Sequence, residues 1–258
     1  MRRPVIATTP PDTAIYAIGD IHGRHDLLAE ITARIVDDAR QRRARHRLIV
    51  YLGDYVSRGI DSRRVVDSLL TPPPDGFSRV CLKGNHEDCL LRYLAGDFAI
   101  GRRWLNHDGL DTLSHYGVAI PEQWAHDDAC MAQLRDRFAA AVPASHLEFF
   151  HSLRIAHKAG GYYFAHAGLR PGVPLAQQTG NDCMWIREPF LSSEADHGAV
   201  VVHGHSIVEQ PEQRHNRIAI DTGAFRSGVL TCLILDGATR SFLQTGRSGE
   251  QAKQRLIA

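Results

Sequence analysis

An α/β fold is what this sequence predicts, on two observations. Short apolar runs rich in β-branched and aromatic residues recur along the chain, each bounded by glycine and polar residues. In the first ninety residues they alternate with stretches of helical periodicity, the pattern of strands paired in parallel. The runs are TAIYAIGD, RLIVYLGD, SRVCLKGN, GYYFAHAG, GAVVVHGH, NRIAIDTG and VLTCLILDG. Between the first two, Leu27, Leu28, Ile31, Ile35 and Ala39 fall on one helical face. Further helices are expected from near Asp61 (DSRRVVDSLL) and after Asn85 (HEDCLLRYL). Residues 95–150 hold few strand-like runs and read as a helical insertion carrying Trp104, His107, Asp108, Trp124, Asp127 and Asp128. TPPPDG, Thr71 to Gly76, reads as a stiff loop rather than a domain linker, because the alternation continues across it. The closing strands leave little room for helices between them and predict an antiparallel second sheet. The last dozen residues read as a mobile tail on one domain spanning residues 1–258.

The 258 residues are 43% hydrophobic and 23% charged, enough to bury a substantial core in one large domain. A net charge of +1 gives no global field toward nucleic acid or a membrane, so neither is expected as a partner. RQRRARHR, Arg40 to Arg47, reads as a solvated helix C-terminus, where cations complement the dipole. Five scattered cysteines without C-x-x-C spacing fit reduced, mostly buried thiols. MRRPVIATTPPDTA lacks the apolar segment of a secretory signal, and no apolar stretch approaches spanning length. A cytoplasmic location is the expectation.

The strand ends carry the chemistry. They read GDIHGR, GDYVSRG, KGNHE, AHAG and HGHS, five apolar runs each closing on Asp, Asn or His beside glycine. Ligands in open α/β sheets bind outside the carboxyl ends of the strands, so these side chains should converge. The inventory is Asp20, Asp54, Asn85 and three or four histidines among His22, His86, His166 and His205. Carboxylate, amide oxygen and neutral imidazole suit borderline divalent ions such as Mn²⁺, Fe²⁺ or Zn²⁺. No cysteine lies among them, which argues against a structural zinc site. Six ligands exceed what one catalytic ion with an open position needs, and two ions sharing a bridging carboxylate fit better.

In this order the motifs G-D-x-H-G, G-D-x-V-x-R-G, G-N-H-E, H-A-G and G-H-[ST] resemble the phosphoprotein phosphatase family of calcineurin-like metallophosphoesterases. WLNHDGLDTLSHYGV, RPGVPLAQQ, MWIREPFL, VVVHGHS and IAIDTGA look like its short bacterial branch of serine/threonine protein phosphatases, itself similar to symmetrical diadenosine tetraphosphate hydrolases. The resemblance implies a four-layer α/β/β/α sandwich of two mixed sheets with a dimetal site at one edge. By position it implies Asp20, His22 and Asp54 on one ion, and Asn85, His166 and His205 on the other, with Asp54 bridging. His86 matches the proton donor, Arg58 the phosphate-binding arginine, and Arg187 of WIRE a second one; Asn85 would also touch substrate. His203 is expected to be structural.

The implied activity is metal-dependent phosphomonoester hydrolysis on phosphorylated Ser, Thr or Tyr in proteins, with Mn²⁺ foremost. Water between two cations loses its proton near neutral pH and attacks in line, and His86 protonates the leaving alkoxide. Two alternatives stand beside it: hydrolysis of dinucleoside polyphosphates, and a metal-bound module without turnover. One position departs from the pattern. The family usually has an acid where Ser57 stands, pairing with the proton-donor imidazole. A serine hydroxyl there would bond the ring without charge, unless Asp61 or Asp88 reaches His86 instead.

Overall fold

The computed structural model describes residues 7–246 and 254–256. Its strands are β1 (Thr13–Ile18), β2 (His46–Tyr51), β3 (Phe77–Cys81), β4 (Ala156–Ala159), β5 (Tyr162–Ala165), β6 (Val200–His203), β7 (Glu212–Gln213), β8 (Arg217–Ala219), β9 (Thr231–Asp236), β10 (Thr239–Gln244) and β11 (Gln254–Leu256). Its helices are α1 (His25–Arg40), α2 (Ser62–Leu70), α3 (Asn85–Leu94), α4 (Phe98–Trp104), α5 (Leu110–His115), α6 (Asp128–Ala141), α7 (Ala144–Ser152), α8 (Gly180–Trp185) and α9 (Ala224–Ser227). A π-helical turn, Leu105–Gly109, joins α4 to α5. All seven apolar runs contain strands, and α4 to α7 fill the expected helical insertion.

Two mixed sheets face each other, in the orders β11-β10-β9-β1-β2-β3 and β4-β5-β6-β8-β7. The period of two along β1 divides its side chains between two cores. Tyr16 and Ile18 face the helical layer with Leu28 and Ile31 of α1 and Val65 of α2. Ile15 and Ala17 face the second sheet with Phe164, Val202 and Ile218. The outer face of the second sheet, Tyr163, Ala165 and Val201, packs on Cys183 of α8 and on Phe190. Helices, sheet, sheet and a thinner α8 layer make an α/β/β/α sandwich.

Two expectations change. The second sheet is mixed rather than antiparallel: β5, β6 and β8 run parallel, and only β4 and β7 at its edges are antiparallel. The closing strands leave that sheet, since β9 pairs antiparallel with β1 and β10 with β9. The long excursion through 169–197 supplies the crossover that parallel β5 and β6 require. Of the expected mobile tail, residues 254–256 pair with β10, and the rest lies outside the described residues. Among the described residues no helix is long and apolar enough to cross a membrane.

Candidate metal centre

The turns after β1, β2, β3, β5 and β6 meet at one edge of the two sheets. Left-handed backbone at non-glycine residues is uncommon and costs of the order of 1 kcal/mol or more. Among the described residues it occurs at Asp12, His22, Asp54, Ser57, Arg58 and His205, and all but Asp12 belong to these turns. Backbone also approaches the carboxylates closely: a Cβ added at Gly84 would collide with Asp54 Oδ1, and one at Gly204 with Asp20 Oδ1. Only glycine fits at these two positions.

Asp54 sits at the centre. Its Oδ2 lies 3.4 Å from His22 Nε2 and 3.9 Å from His86 Nε2, and its Oδ1 lies 3.4 Å from His166 Nε2. Asn85 Oδ1 lies 2.9 Å from both His166 Nε2 and His205 Nδ1. Asp20 accepts the His205 backbone N–H at 3.1 Å. Two triads of donor atoms gather within 4.8 Å of one another, His22/Asp54/His86 and Asp54/His166/His205. Asp54 belongs to both. The structure therefore brings Asp20, His22, Asp54, Asn85, His86, His166 and His205 together. It sets His86 in the first triad, with His22 and Asp54.

The donor set fits divalent cations, and two contacts make the point. His166 donates Nδ1–H to Leu52 O at 3.0 Å, and His22 donates Nδ1–H to Val56 O at 2.9 Å. Each neutral ring then aims its Nε2 lone pair inward, the arrangement that orients metal-ligating imidazoles. The His22 lone pair lies 3.4 Å from the Asp54 carboxylate and accepts from Arg58 Nη1, whereas the His166 lone pair faces the Asn85 carbonyl oxygen. Acceptor against acceptor at such distances repels unless a cation lies between. Protonation does not supply it: burial pushes His22 down to about 3 and His166 to about 4. Burial also pushes His205 down to about 2, and Asp54 up to about 7. Asp20 is raised by burial and then by the neighbouring carboxylates Asp221 and Asp54. A cluster of neutral rings and under-compensated carboxylates has the electrostatics of a cation site.

Glu87 holds the centre's framework, a role not assigned from the sequence. Fully buried, it accepts backbone N–H bonds from Asp54 (2.9 Å), Tyr55 (2.8 Å), Val56 (3.3 Å) and Gly84 (3.0 Å). It thereby bolts the turn after β2 to the start of α3, where Asn85 and His86 occupy the first turn. Burial pushes its carboxyl up to about 7, while those N–H bonds pull the other way. The sequence signal was present in K-G-N-H-E: a Glu three residues after a glycine cap, reaching back to the cap N–H. Glu87→Gln would turn an amide N–H₂ toward N–H donors and is expected to cost about 2–4 kcal/mol. Thermal unfolding should show Tm lower by roughly 5–10 °C, and an unchanged Tm would remove Glu87 from this role.

Arg58 is fixed by two groups the sequence did not point to. Its Nε donates to Asp108 Oδ2 at 2.9 Å, from the π-helical turn, and its guanidinium lies 4.8 Å from the Phe225 ring centre. Its Nη1 donates to His22 Nε2 at 3.2 Å, so it stands beside the cluster. Arg187 is on another wall, donating to Ser206 Oγ at 3.1 Å and His205 O at 3.3 Å. His203 is fully buried, with Nδ1–H on Gly204 O and its ring edge-on to Phe190 at 5.1 Å, in keeping with a structural place.

The expected hydroxyl–imidazole bond at Ser57 is absent. Ser57 is fully buried; its Oγ accepts the Trp104 indole N–H at 3.1 Å and meets Thr112 Oγ1 at 3.4 Å. Asp61 caps α2 through Arg64 N, and Asp88 pairs with Arg92 at 3.9 Å. Neither replaces the missing acid. His86 Nδ1 is buried without a hydrogen-bond partner among the described residues.

At the cluster opens a cleft of about 600 Å³, lined by Ile100, Arg103, Trp104, His107 and Asp108 of the helical insertion and by Trp185, Arg187 and Ile207 from the segments around β6. That volume and mixed lining suit a small molecule.

The calcineurin-like phosphoesterase family model matches residues 13–227. The asymmetrical bis(5'-nucleosyl)-tetraphosphatase PrpE of Halalkalibacterium halodurans is 26% identical over 225 residues, covering 84% of this chain and 87% of that protein. A symmetrical bis(5'-nucleosyl)-tetraphosphatase of Aromatoleum aromaticum is 33% identical over 162 residues, covering 62% of this chain and 45% of that protein. A solved structure provisionally described as a diadenosine tetraphosphatase aligns with a TM-score of 0.62 at 20% identity, covering 96% of this chain and all of that one. The cold-active protein-tyrosine phosphatase of a psychrophilic Shewanella also aligns with a TM-score of 0.62, at 18% identity, covering 98% of this chain and 84% of that one. At those identities the two structures speak for the fold alone. With more than half its length matched by the family model, the chain belongs to the calcineurin-like phosphoesterases.

Proposed function

We propose that the chain is a divalent-metal-dependent hydrolase of dinucleoside polyphosphates. This reading places second the phosphoprotein activity expected first from the sequence. The observation that carries it is His86, buried with no carboxylate or other hydrogen-bond partner on its Nδ1 among the described residues, while its Nε2 faces the Asp54 carboxylate of the metal-site cluster. An alkyl phosphate such as phosphoserine must expel an alkoxide, which needs a strong general acid. Cleavage of a phosphoanhydride expels a nucleotide phosphate, a group that holds its own last proton only below a pH of about 6. It leaves without help. The names of the relatives, bis(5'-nucleosyl)-tetraphosphatases, point to the same bond.

Asp20, His22 and Asp54 would hold one ion and Asp54, Asn85, His166 and His205 the other, with Mn²⁺ foremost and Fe²⁺ or Zn²⁺ as alternatives. When bound, the pair supplies neutralisation of phosphoryl charge and activation of water. Arg58, held in a fixed direction by Asp108 and Phe225, donates to the reacting phosphoryl group. Arg187, clamped on the β6–β8 side, meets the next phosphates along the chain. His86 offers Nε2 toward Asp54 and the reacting centre.

With Mn²⁺ supplied, turnover of bis(5'-adenosyl) tetraphosphate should exceed that of a phosphoserine peptide by at least about 100-fold, the usual worth of general acid catalysis. Faster phosphate release from the peptide would restore the phosphoprotein reading. Turnover of neither substrate with any divalent metal would leave a binding module.

A further inference from the structure

We propose that Trp185 and Ile207 form the seat for a nucleobase of the substrate. The inference rests on the dinucleoside polyphosphate reading and names what recognises the nucleoside. Among the described residues only Ile60, Leu70 and Ile207 are large apolar side chains standing exposed, and of these Ile207 lines the cleft. It is held there. Val208 N–H bonds to Asp221 O at 2.9 Å, Ser206 N–H to Gly204 O at 2.6 Å, and the Ile207 side chain rests over Gly223.

Trp185, the last residue of α8, is half-buried: it packs in part against the helical core and also lines the cleft. Arg187 ties this segment to the turn bearing Ile207 through its bonds to Ser206 Oγ and His205 O. One rigid wall thus carries an indole, a guanidinium and an aliphatic side chain next to the metal-site residue His205. A base on the indole and its phosphates on the guanidinium match that sequence of groups.

The other indole in the cleft cannot serve. Trp104 is 3% exposed, spends its N–H on Ser57 Oγ, and packs on Tyr93 with ring centres 6.3 Å apart. Ile207 and Trp185 are therefore the apolar groups free to meet a planar ligand on that wall. Purines, with the larger ring face, should be preferred over pyrimidines.

Two readouts test the seat. The first is the ratio of kcat/KM for bis(5'-adenosyl) tetraphosphate to that for inorganic tripolyphosphate, which has the anhydride bond and no base. Trp185→Ala should lower this ratio about tenfold, chiefly through KM for the nucleotide, and Trp185→Phe should retain most of it. Ile207→Ser should lower it by a smaller factor. The second readout is quenching of tryptophan fluorescence by ADP in chelator-treated protein, expected in wild type and lost in Trp185→Ala. Equal loss on both substrates, or no change in the ratio, would overturn the seat while leaving the functional reading intact. Should wild type leave the tetraphosphate uncut, the functional reading fails, and the ADP titration then decides the seat alone: quenching that survives in Trp185→Ala refutes it.

Discussion

Asp54→Asn is expected to reduce hydrolysis by at least about a thousandfold, some 4 kcal/mol of barrier. Asp54 is the residue shared by both donor triads, with its two oxygens turned to different sides: Oδ2 toward His22 and His86, Oδ1 toward His166. An amide presents one oxygen and one N–H₂, so one side loses its anionic ligand and gains a donor aimed at imidazole lone pairs. Metal content should fall with activity. The fold should survive, because the backbone N–H of Asp54 still bonds to Glu87 and the side chain is nearly isosteric. Full metal occupancy with normal turnover in this variant would remove Asp54 from the bridging position.

Chelation should have an effect as large. Stripped protein is expected to be inactive, and Mn²⁺ should restore turnover more strongly than Mg²⁺ or Ca²⁺, because three of the six donor residues are imidazoles and those two ions favour all-oxygen coordination. Stripped protein should also be less stable to heat, since the buried His166 lone pair would again face the Asn85 oxygen. Turnover unaffected by chelator, or a Tm indifferent to added Mn²⁺, would contradict this.

Much of the site was legible because its residues sit at strand ends, and strand ends show locally as apolar runs closing on glycine. Asp20, Asp54, Asn85, His166 and His205 each follow such a run, so convergence followed from the topology of an α/β sheet. The sheet assignment of β9 was not legible, because its partner β1 lies more than two hundred residues away and pairing across that distance leaves no local trace. The β9–β10 hairpin had a signal in Gly237, which opens the two-residue turn Gly237-Ala238 between the paired Asp236 and Thr239 and takes φ 59°. Short β4 and β7 carry mixed polar residues and lack the apolar signature altogether.

The supports of the site divide the same way. Glu87 could be found from its spacing to Gly84, whereas Asp108 and Phe225 reach Arg58 from the π-helical turn and from α9, contacts that only the folded chain creates. Ser57 was recognised as a departure, but its engagement with Trp104 and Thr112 depends on the helical insertion closing over the turn. The weakened support for His86 was legible from Ser57 alone; that nothing else among the described residues partners its Nδ1 was not.

The central claim is metal-dependent cleavage of a nucleotide anhydride, and one titration tests it most directly. Metal-free protein is titrated with Mn²⁺ in the presence of bis(5'-adenosyl) tetraphosphate while nucleotide products are followed chromatographically. The account predicts no products without metal and a rate that saturates at two ions per chain. Products at full rate before any metal is added, or an intact tetraphosphate at saturating metal while a phosphoserine peptide is cleaved, would contradict it.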